Sequence, residues 1–558
     1  MINYLLKTIA LSAALSLAAS GASKLAKDLE NLDPNQTADV IVQFRQTPGE
    51  AHHQKVAAKG GRLKTRLDMV KGGLYSMPAA RLKELADDPD VAYISPDRPV
   101  HAFLNNATVT VGSNLANKAG WTGKGVGVAV LDSGIYATTK PLESWADING
   151  RLVYTQDFST DGFVQDYYGH GSHVAGIIGG AGRSQDNYQH IGIAPGVNLI
   201  VLKVLNQFGA GTDSGVIAGI NQAVALKSKY NIRVLNLSLG RPVYESYTLD
   251  PICQAVESAW NAGIVVVVAA GNEGRNNSAG TNGYGTITAP GNDPYVITVG
   301  AMNMNGTPAP SDDVIASYSS KGPTLFDHIA KPDLVAPGNR VVSMDNTYAW
   351  MFGLPATYPQ ILYANPACQT CYMALSGTSM AAPMVSGAAA LLLQQNSKLT
   401  PDQVKARLMK TASKTFPAVT VATDAGTGAV YTSYYDLFTV GAGYLNVWAA
   451  LNSTDTVPAG QTALSPTAVY ASPGQVNLVF GSNVVWGTNV VWGTNVVWGT
   501  NVVWGTNVVW GTNVVWGTNV VWGTSGTQGA NVVWGTNVVW GTGQPASETT
   551  NIIINGDK

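Results

Sequence analysis

Four apolar runs constrain the fold of this chain more than any other feature. They are GVGVAVLD (125–132), NLIVLKVL (198–205), IRVLNLSLG (232–240) and GIVVVVAAGN (263–272), all rich in Val, Ile and Leu. Near-continuous runs of this kind suit strands buried on both faces. Between the last three lie GVIAGINQAVALKSKY and PICQAVESAWNAG, which read as helices. Buried strands alternating with helices predict an α/β domain with a parallel sheet covered on both sides. Function collects at the carboxyl ends of the strands in such sheets. Three of the runs end there in suggestive residues: Asp132, Ser238-Leu239-Gly240 and Asn272.

The chain has 558 residues, enough for two or more domains. Residues 38–100 form a separate unit that reads as a small α+β domain of βαββαβ, ferredoxin-like order. In it ADVIVQF, GGLYSM and VAYISPD suit strands, and the segments from about Glu50 to Leu67 and PAARLKELADDPD suit helices. The first residues, with Lys7, an apolar run from about Ile9 to Ala19 and small residues after it, fit a secretory signal peptide over 1–22. An uncleaved membrane anchor is the alternative. Charged residues make up 12% and the net charge is -2, with no basic block, so nucleic-acid binding is not expected. Three cysteines exclude a disulfide-dense scaffold, and Cys368 and Cys371 suit a local disulfide in an exported chain.

After a Pro/Ser/Gly/Thr-containing stretch over 453–482, NVVWGT occurs nine times from Asn483, interrupted once at 525–530. A six-residue period keeps the faces of an extended strand in register, which would align nine tryptophans. Turns at each Gly-Thr-Asn would instead stack the repeats as a small solenoid. The uncharged surface suits binding to a surface or glycan, self-association or packing on the rest of the chain; a low-complexity tail of little function is the plain alternative.

Asp132 stands in VAVLDSGI, His170 in YGHGSHVAGIIGG and Ser379 in SGTSMAAPMVSGAAALLL. Singly, these fit a structural cap, a packed histidine and a helix N-cap. His173 reads as a core residue. Together they give the order Asp, His, Ser. The words DSG, HGSHVAG and SGTSMAAP resemble the three signature segments of subtilisin-like serine proteases, over about Thr108 to Leu451. A hydroxyl is a poor nucleophile until a base takes its proton. The resemblance therefore implies Ser379 as nucleophile, His170 as base and then acid, and Asp132 as the group that orients the imidazole. A helix starting just after Ser379 would aim its positive end at the oxyanion, with Pro383 in its first turn. Gly169 and Gly171 would leave the His170 ring uncrowded, and Gly377 would admit the substrate backbone.

The resemblance further implies Asn272 as a side-chain oxyanion donor beside the Ser379 N–H. Ser238, Leu239 and Gly240 on one side, and Gly209 and Gly211 on the other, match the edges that bind an extended peptide through its main chain. Ala270 falls in a wall of the primary pocket and Thr288 at its floor, which would favour medium apolar side chains. The chemistry implied needs no cofactor; structural calcium is known among relatives but no site is assignable. The implied organisation is a signal peptide, an inhibitory propeptide over 23–103 cut between Val100 and Ala107, a catalytic domain over 104–452, a linker over 453–482, repeats over 483–542 and a polar tail over 543–558. The expected product is a secreted or cell-surface endopeptidase, with proteins and peptides as substrates and its own propeptide as inhibitor. The sedolisin group shares an SGTS segment but has an acid in place of the histidine and Asp in place of the asparagine, so His170 and Asn272 argue against it. A dead scaffold presenting the tryptophan repeats is the non-enzymatic alternative.

Overall fold

The four apolar runs form strands. The structure, a computed structural model, describes residues 24–26, 29, 32–96, 106–136, 147–148, 150–182, 190–278, 280–345, 371–424, 428–454, 462–472, 475–479, 497–498, 502–503, 552 and 556–557. It divides into two units, Met1–Ala102 and Phe103–Lys558.

In the first unit, β1 (Thr37–Phe44), α1 (Glu50–Ala58), β2 (Arg62–Leu67), β3 (Gly72–Pro78), α2 (Leu82–Ala86) and β4 (Val91–Pro96) follow one another. The sheet runs in the order β2-β3-β1-β4, with every pair antiparallel. β1 alternates, sending Val40, Val42 and Phe44 inward, as expected where one face of a sheet meets solvent. The helix expected over 50–67 stops at Ala58. Gly60 adopts φ +81° there, and a Cβ on Gly61 would lie 2.5 Å from Val56 Cγ1, so the chain turns and Arg62–Leu67 joins β3 as a strand.

The second unit is built on β5 (Gly127–Asp132), β6 (Leu152–Asp157), β7 (Asn198–Lys203), β8 (Ile232–Leu237), β9 (Val265–Ala269), β10 (Ile297–Asn303), β11 (Val314–Ile315) and β12 (Leu334–Pro337). The order is β11-β10-β9-β8-β5-β7-β6, with β12 also on β10; among these pairs only β10–β11 is antiparallel. Every residue of β5, β9 and β10 is buried. Register sets Asp132 opposite Lys203 and Leu131 opposite Leu237. Asp132 and the residues following Leu237 and Ala269 therefore emerge at one edge of the sheet.

Some of the helices begin where side chains meet orphan backbone donors, and others begin after glycine. α3 (His170–Gly179) follows Gly169 in the left-handed region. α4 (Asp213–Tyr230) is capped by Thr212, whose side chain accepts from Gly215 N–H. α5 (Pro251–Asn261) follows Asp250, which accepts from Ile252 N–H, with proline at a position that needs no donor. α6 (Thr378–Gln395) runs through the core and α7 (Pro401–Thr411) opens on a Thr400–Gln403 capping box.

Two differences from the sequence reading concern the segments beyond 452. The stretch read as a linker contains an antiparallel pair, Thr467–Ser472 with Gln475–Val479. Ala468 and Val476 of this pair lie in the second unit's core, which offsets the polar composition that suggested a linker. Within the polar tail, Ile552 and Asp557 are buried. In the repeats, Val497–Trp498 and Val502–Val503 pair antiparallel. The remaining repeats, the signal segment, the cleavage stretch over 100–105 and Cys368 lie outside the described residues.

Candidate active site

Asp132 ends β5 and His170 opens α3. Their contact is a hydrogen bond of 2.7 Å between His170 Nδ1 and Asp132 Oδ1. The carboxylate accepts only, so Nδ1 carries the proton and Nε2 is left with its lone pair. Ser133 N–H also donates to Asp132 Oδ1, at 2.7 Å. Asp132 is fully buried and His170 nearly so, at 6% exposure. Burial alone would draw the imidazole pKa down. The charge and hydrogen bond of Asp132, with the charge of Asp166, outweigh it and raise the His170 pKa above the ordinary 6.5.

α3 is fixed close to β5 by small residues. A Cβ on Gly171 would lie 2.3 Å from Gly134 O, so this glycine serves close packing of backbone on backbone rather than an open ring environment for His170.

Ser379 is the second residue of α6. Its helix starts one residue before the serine, and Gly377, not a hydroxyl residue, is the N-cap. Pro383 accordingly sits in the second turn, where a missing N–H leaves the carbonyl four residues back without its helical donor. That carbonyl belongs to Ser379. It is taken instead by the Ser238 hydroxyl at 2.8 Å. In return, Ser379 Oγ donates to the Ser238 carbonyl at 3.1 Å. Ser238 is itself held by Asn236 Nδ2 at 2.9 Å, and Asn236 Oδ1 accepts from Ser386 on α6. Among the described residues no hydrogen bond joins Ser379 Oγ to His170.

Asn272 meets the same helix start. Its Oδ1 accepts from Thr378 N–H at 2.9 Å and from Thr378 Oγ1 at 3.1 Å, and Gly271 N–H donates to Thr378 Oγ1. A backbone donor on Oδ1 settles which way the amide faces and leaves Nδ2 on the other side. Gly377 has φ +149°, and a Cβ there would stand 3.3 Å from Asn272 Nδ2. A side chain at 377 would fill the space into which that donor points.

Residues 123–436 match the family model described as the subtilase family. The serine protease AprX of Bacillus subtilis is 35% identical over 403 residues, covering 69% of this chain and 84% of its own. Subtilisin E of the same organism is 34% identical over 380 residues, covering 67% and 84%. An extracellular serine proteinase of a Thermus species is 35% identical over 351 residues, covering 61% and 70%. The chain is a subtilase. It belongs to a family of serine protease hydrolases on an α/β fold whose sheet is mixed and mostly parallel.

The residues expected from the sequence to bind substrate fall in two groups. Thr288 donates through N–H and Oγ1 to Ala270 O. Cβ atoms placed on Gly240 and Gly271 would come within 2.6 and 2.8 Å of Thr288 atoms. Gly240, Ala270, Gly271 and Thr288 thus stand together, with Leu239 packed against the core. The bend over 205–211 forms the second group, closed by a Leu205–Gly211 bridge. A Cβ on Gly209 would lie 2.4 Å from Cζ of Tyr168, whose ring neighbours that of His170. Gly211 lines an open cleft of about 560 Å³ with Phe158, Thr160 and Asn206.

Sequence reasoning missed the subtilase residues that hold this machinery. Asp166 is fully buried and accepts from Ser133 Oγ, Gly169 N–H, Ser172 N–H and Ser172 Oγ at 2.7–2.8 Å. It ties the strand end bearing Asp132 to the helix bearing His170. Lys203, also fully buried, donates to Ser133 O at 2.6 Å and pairs with Asp161 at 3.2 Å. His173 faces away from the site: its Nε2 lies 3.1 Å from the Val341 and Met373 carbonyls, and burial pushes its pKa down to about 3. Among the described residues no group of three or more metal-ligating side chains occurs.

Proposed function

We propose that this subtilase is a secreted serine endopeptidase, made as a preproenzyme that cuts itself between Val100 and Ala107. The observation that carries the reading is the buried Asp132–His170 contact of 2.7 Å, on the same sheet edge as Asn272 and Ser379. In the reaction, the Ser379 hydroxyl turns from the Ser238 carbonyl to His170 Nε2. Its proton passes to His170 as Oγ bonds to the peptide carbonyl carbon. The oxyanion is received by the Ser379 N–H, at a helix position with no intrahelical acceptor, and by Asn272 Nδ2. His170 then gives the proton to the leaving amine, the C–N bond breaks, and the acyl-enzyme forms. Water reverses the sequence: its proton goes to His170, its oxygen to the acyl carbon, and Ser379 recovers its hydroxyl. None of these steps calls for a metal or organic cofactor.

Ser238–Gly240 and Gly209–Gly211 bind the substrate main chain. The pocket at Ala270 and Thr288 favours medium apolar side chains over large aromatics. The first unit inhibits the enzyme until it is cut away. The test is to express the chain from residue 23, treat it with a fluorophosphonate, and map the modified residue and both termini. Label on Ser379, with a new N-terminus between 101 and 107, is expected. A folded, full-length and unlabelled protein overturns the reading.

A further inference from the structure

Beyond the repeats, Ile552, Gly556 and Asp557 pack into the second unit, and Asp557 meets Arg275, Ser317 and Asn339. Asp557 Oδ1 accepts from Arg275 Nη2 and Ser317 Oγ, both at 2.7 Å, and Oδ2 from Ser317 N–H at 2.6 Å. The backbone of Asp557 pairs with one side chain: its carbonyl accepts from Asn339 Nδ2 at 2.9 Å and its N–H donates to Asn339 Oδ1 at 2.8 Å. Arg275 and Asp557 are both nearly buried, and Ile552 enters the core at 3% exposure. Gly556 has φ +60°, and a Cβ there would lie 2.2 Å from Asn339 Oδ1 and 2.3 Å from Ser376 Oγ. The seat accepts glycine followed by a carboxylate and rejects a side chain before it.

What this seat touches gives it a function. Arg275 is three residues beyond Asn272, and its remaining donors go to Ser317 Oγ and to Asp424. Asn339 belongs to the turn that holds the nucleophile segment: Gly377 N–H donates to Gly338 O at 2.8 Å, and Arg340 N–H to Ser376 Oγ at 3.0 Å. Tyr318 OH links Gly338 O and Asn339 Oδ1, and Gly274 N–H donates to Tyr318 O. Asp557 is thus bonded to Arg275, in the segment that carries Asn272, and to Asn339, in the turn whose neighbours bond Ser376 and Gly377 just before Ser379. Without it, buried donors on Arg275, Ser317 and Asn339 lose their acceptor, which is costly in an enclosed polar network. The segment lies outside residues 123–436, which match the subtilase family model.

We propose that Arg275, Ser317 and Asn339 form a binding site for the chain's own Gly-Asp segment at 556–557, and that Asp557 acts through it as a positioning residue for Asn272 and Ser379. The inference rests on the peptidase reading above.

The test uses the full chain and its Asp557→Asn and Gly556→Ala variants, with a chain ended at Thr550 as a third arm. Small displacements of reacting groups cost about 10- to 100-fold in rate. Asp557→Asn and Gly556→Ala are expected to keep their circular dichroism, lower kcat on that scale with KM little changed, and slow fluorophosphonate labelling of Ser379 in proportion. A peptide of residues 551–558 is expected to restore labelling of the shortened chain saturably, and its Asp557→Asn counterpart is not. Folded variants with the parent's kcat and labelling rate overturn the inference, even where their thermal stability falls. If the full-chain variants fail to fold, the shortened chain decides: peptide-dependent recovery of labelling supports the site, and none overturns it. An unlabelled parent chain refutes the peptidase reading instead.

Discussion

Two of the places where the second unit buries charge are finished differently. One lies behind the sheet, where Asp333 meets Lys331 at 2.7 Å and Lys405 at 3.2 Å, all three fully buried or nearly so. There the accounting is complete. Asp333 also accepts from Thr298 N–H and Ser465 Oγ, and Lys405 donates to three backbone carbonyls over 294–296. The ammonium charges overcome burial and hold the Asp333 carboxyl below the usual carboxylate range. The other place is the strand edge, where Asp132 Oδ2 has no hydrogen-bond partner among the described residues. Ser379 Oγ there donates to the Ser238 carbonyl at 3.1 Å. A closed network fixes structure. Under the proposed mechanism the strand edge must instead let the Ser379 hydroxyl change acceptor, from the Ser238 carbonyl to His170 Nε2.

Substitutions at the two places should therefore fail in opposite ways. Ser379→Ala is expected to abolish hydrolysis, by about 10⁶-fold on the scale known for a subtilisin triad knockout, while leaving stability near that of the parent. The uncut proform would accumulate, seen as a single band of full mass. Asp333→Asn leaves two buried ammonium groups facing a neutral amide, and breaking a buried ion pair costs about 3–5 kcal/mol. Denaturant unfolding should show that loss, while turnover per folded molecule holds. A Ser379 variant that unfolds early, or an Asp333 variant of parental stability, would erase the contrast.

Asn272→Ala sharpens it, because Asn272 belongs to both kinds of network. Its Oδ1 is committed to Thr378, and under the proposed mechanism its Nδ2 donates to the oxyanion. Loss of an oxyanion donor typically lowers kcat by about 10²–10³. KM should change little, since the interaction strengthens only as the oxyanion forms. A rise in KM at constant kcat would assign the residue to ground-state binding.

How much of this was legible depended on how local each signal is. The buried strands announce themselves by composition, and DSG, HGSH and SGTS are short words around single residues. β6 gave no such signal: it is mostly half-buried and has no apolar run. The bonds that position the site were not legible because their partners are chosen by the fold. Pro383 marks a freed carbonyl, yet nothing in the sequence says that Ser238, far back in the chain, supplies the donor. Asp166 in GFVQDYYG and Asp557 in NGDK look like surface carboxylates until the chain closes around them.

The two histidines of α3 give the smallest and finest test. As base, His170 must be neutral. Its pKa is raised above 6.5, so the acid limb of kcat/KM should lie above pH 6.5 and activity should fall as pH drops through it. His173, pushed down to about 3 by burial, stays neutral throughout that range and contributes nothing to the limb. Its effect is on stability. An unfolded histidine takes up a proton near 6.5 and the folded one resists until about 3, so folding stability declines as pH falls between those values. His170 has the opposite sign: raised above its unfolded value, it stabilises the fold at low pH and loses that contribution as pH rises through its folded pKa. Activity should accordingly vanish before the protein unfolds in an acid titration, followed by peptide hydrolysis and circular dichroism together. Coincident loss of both would mean that acid acts on the fold, and that the charge on His170 is not what limits the rate.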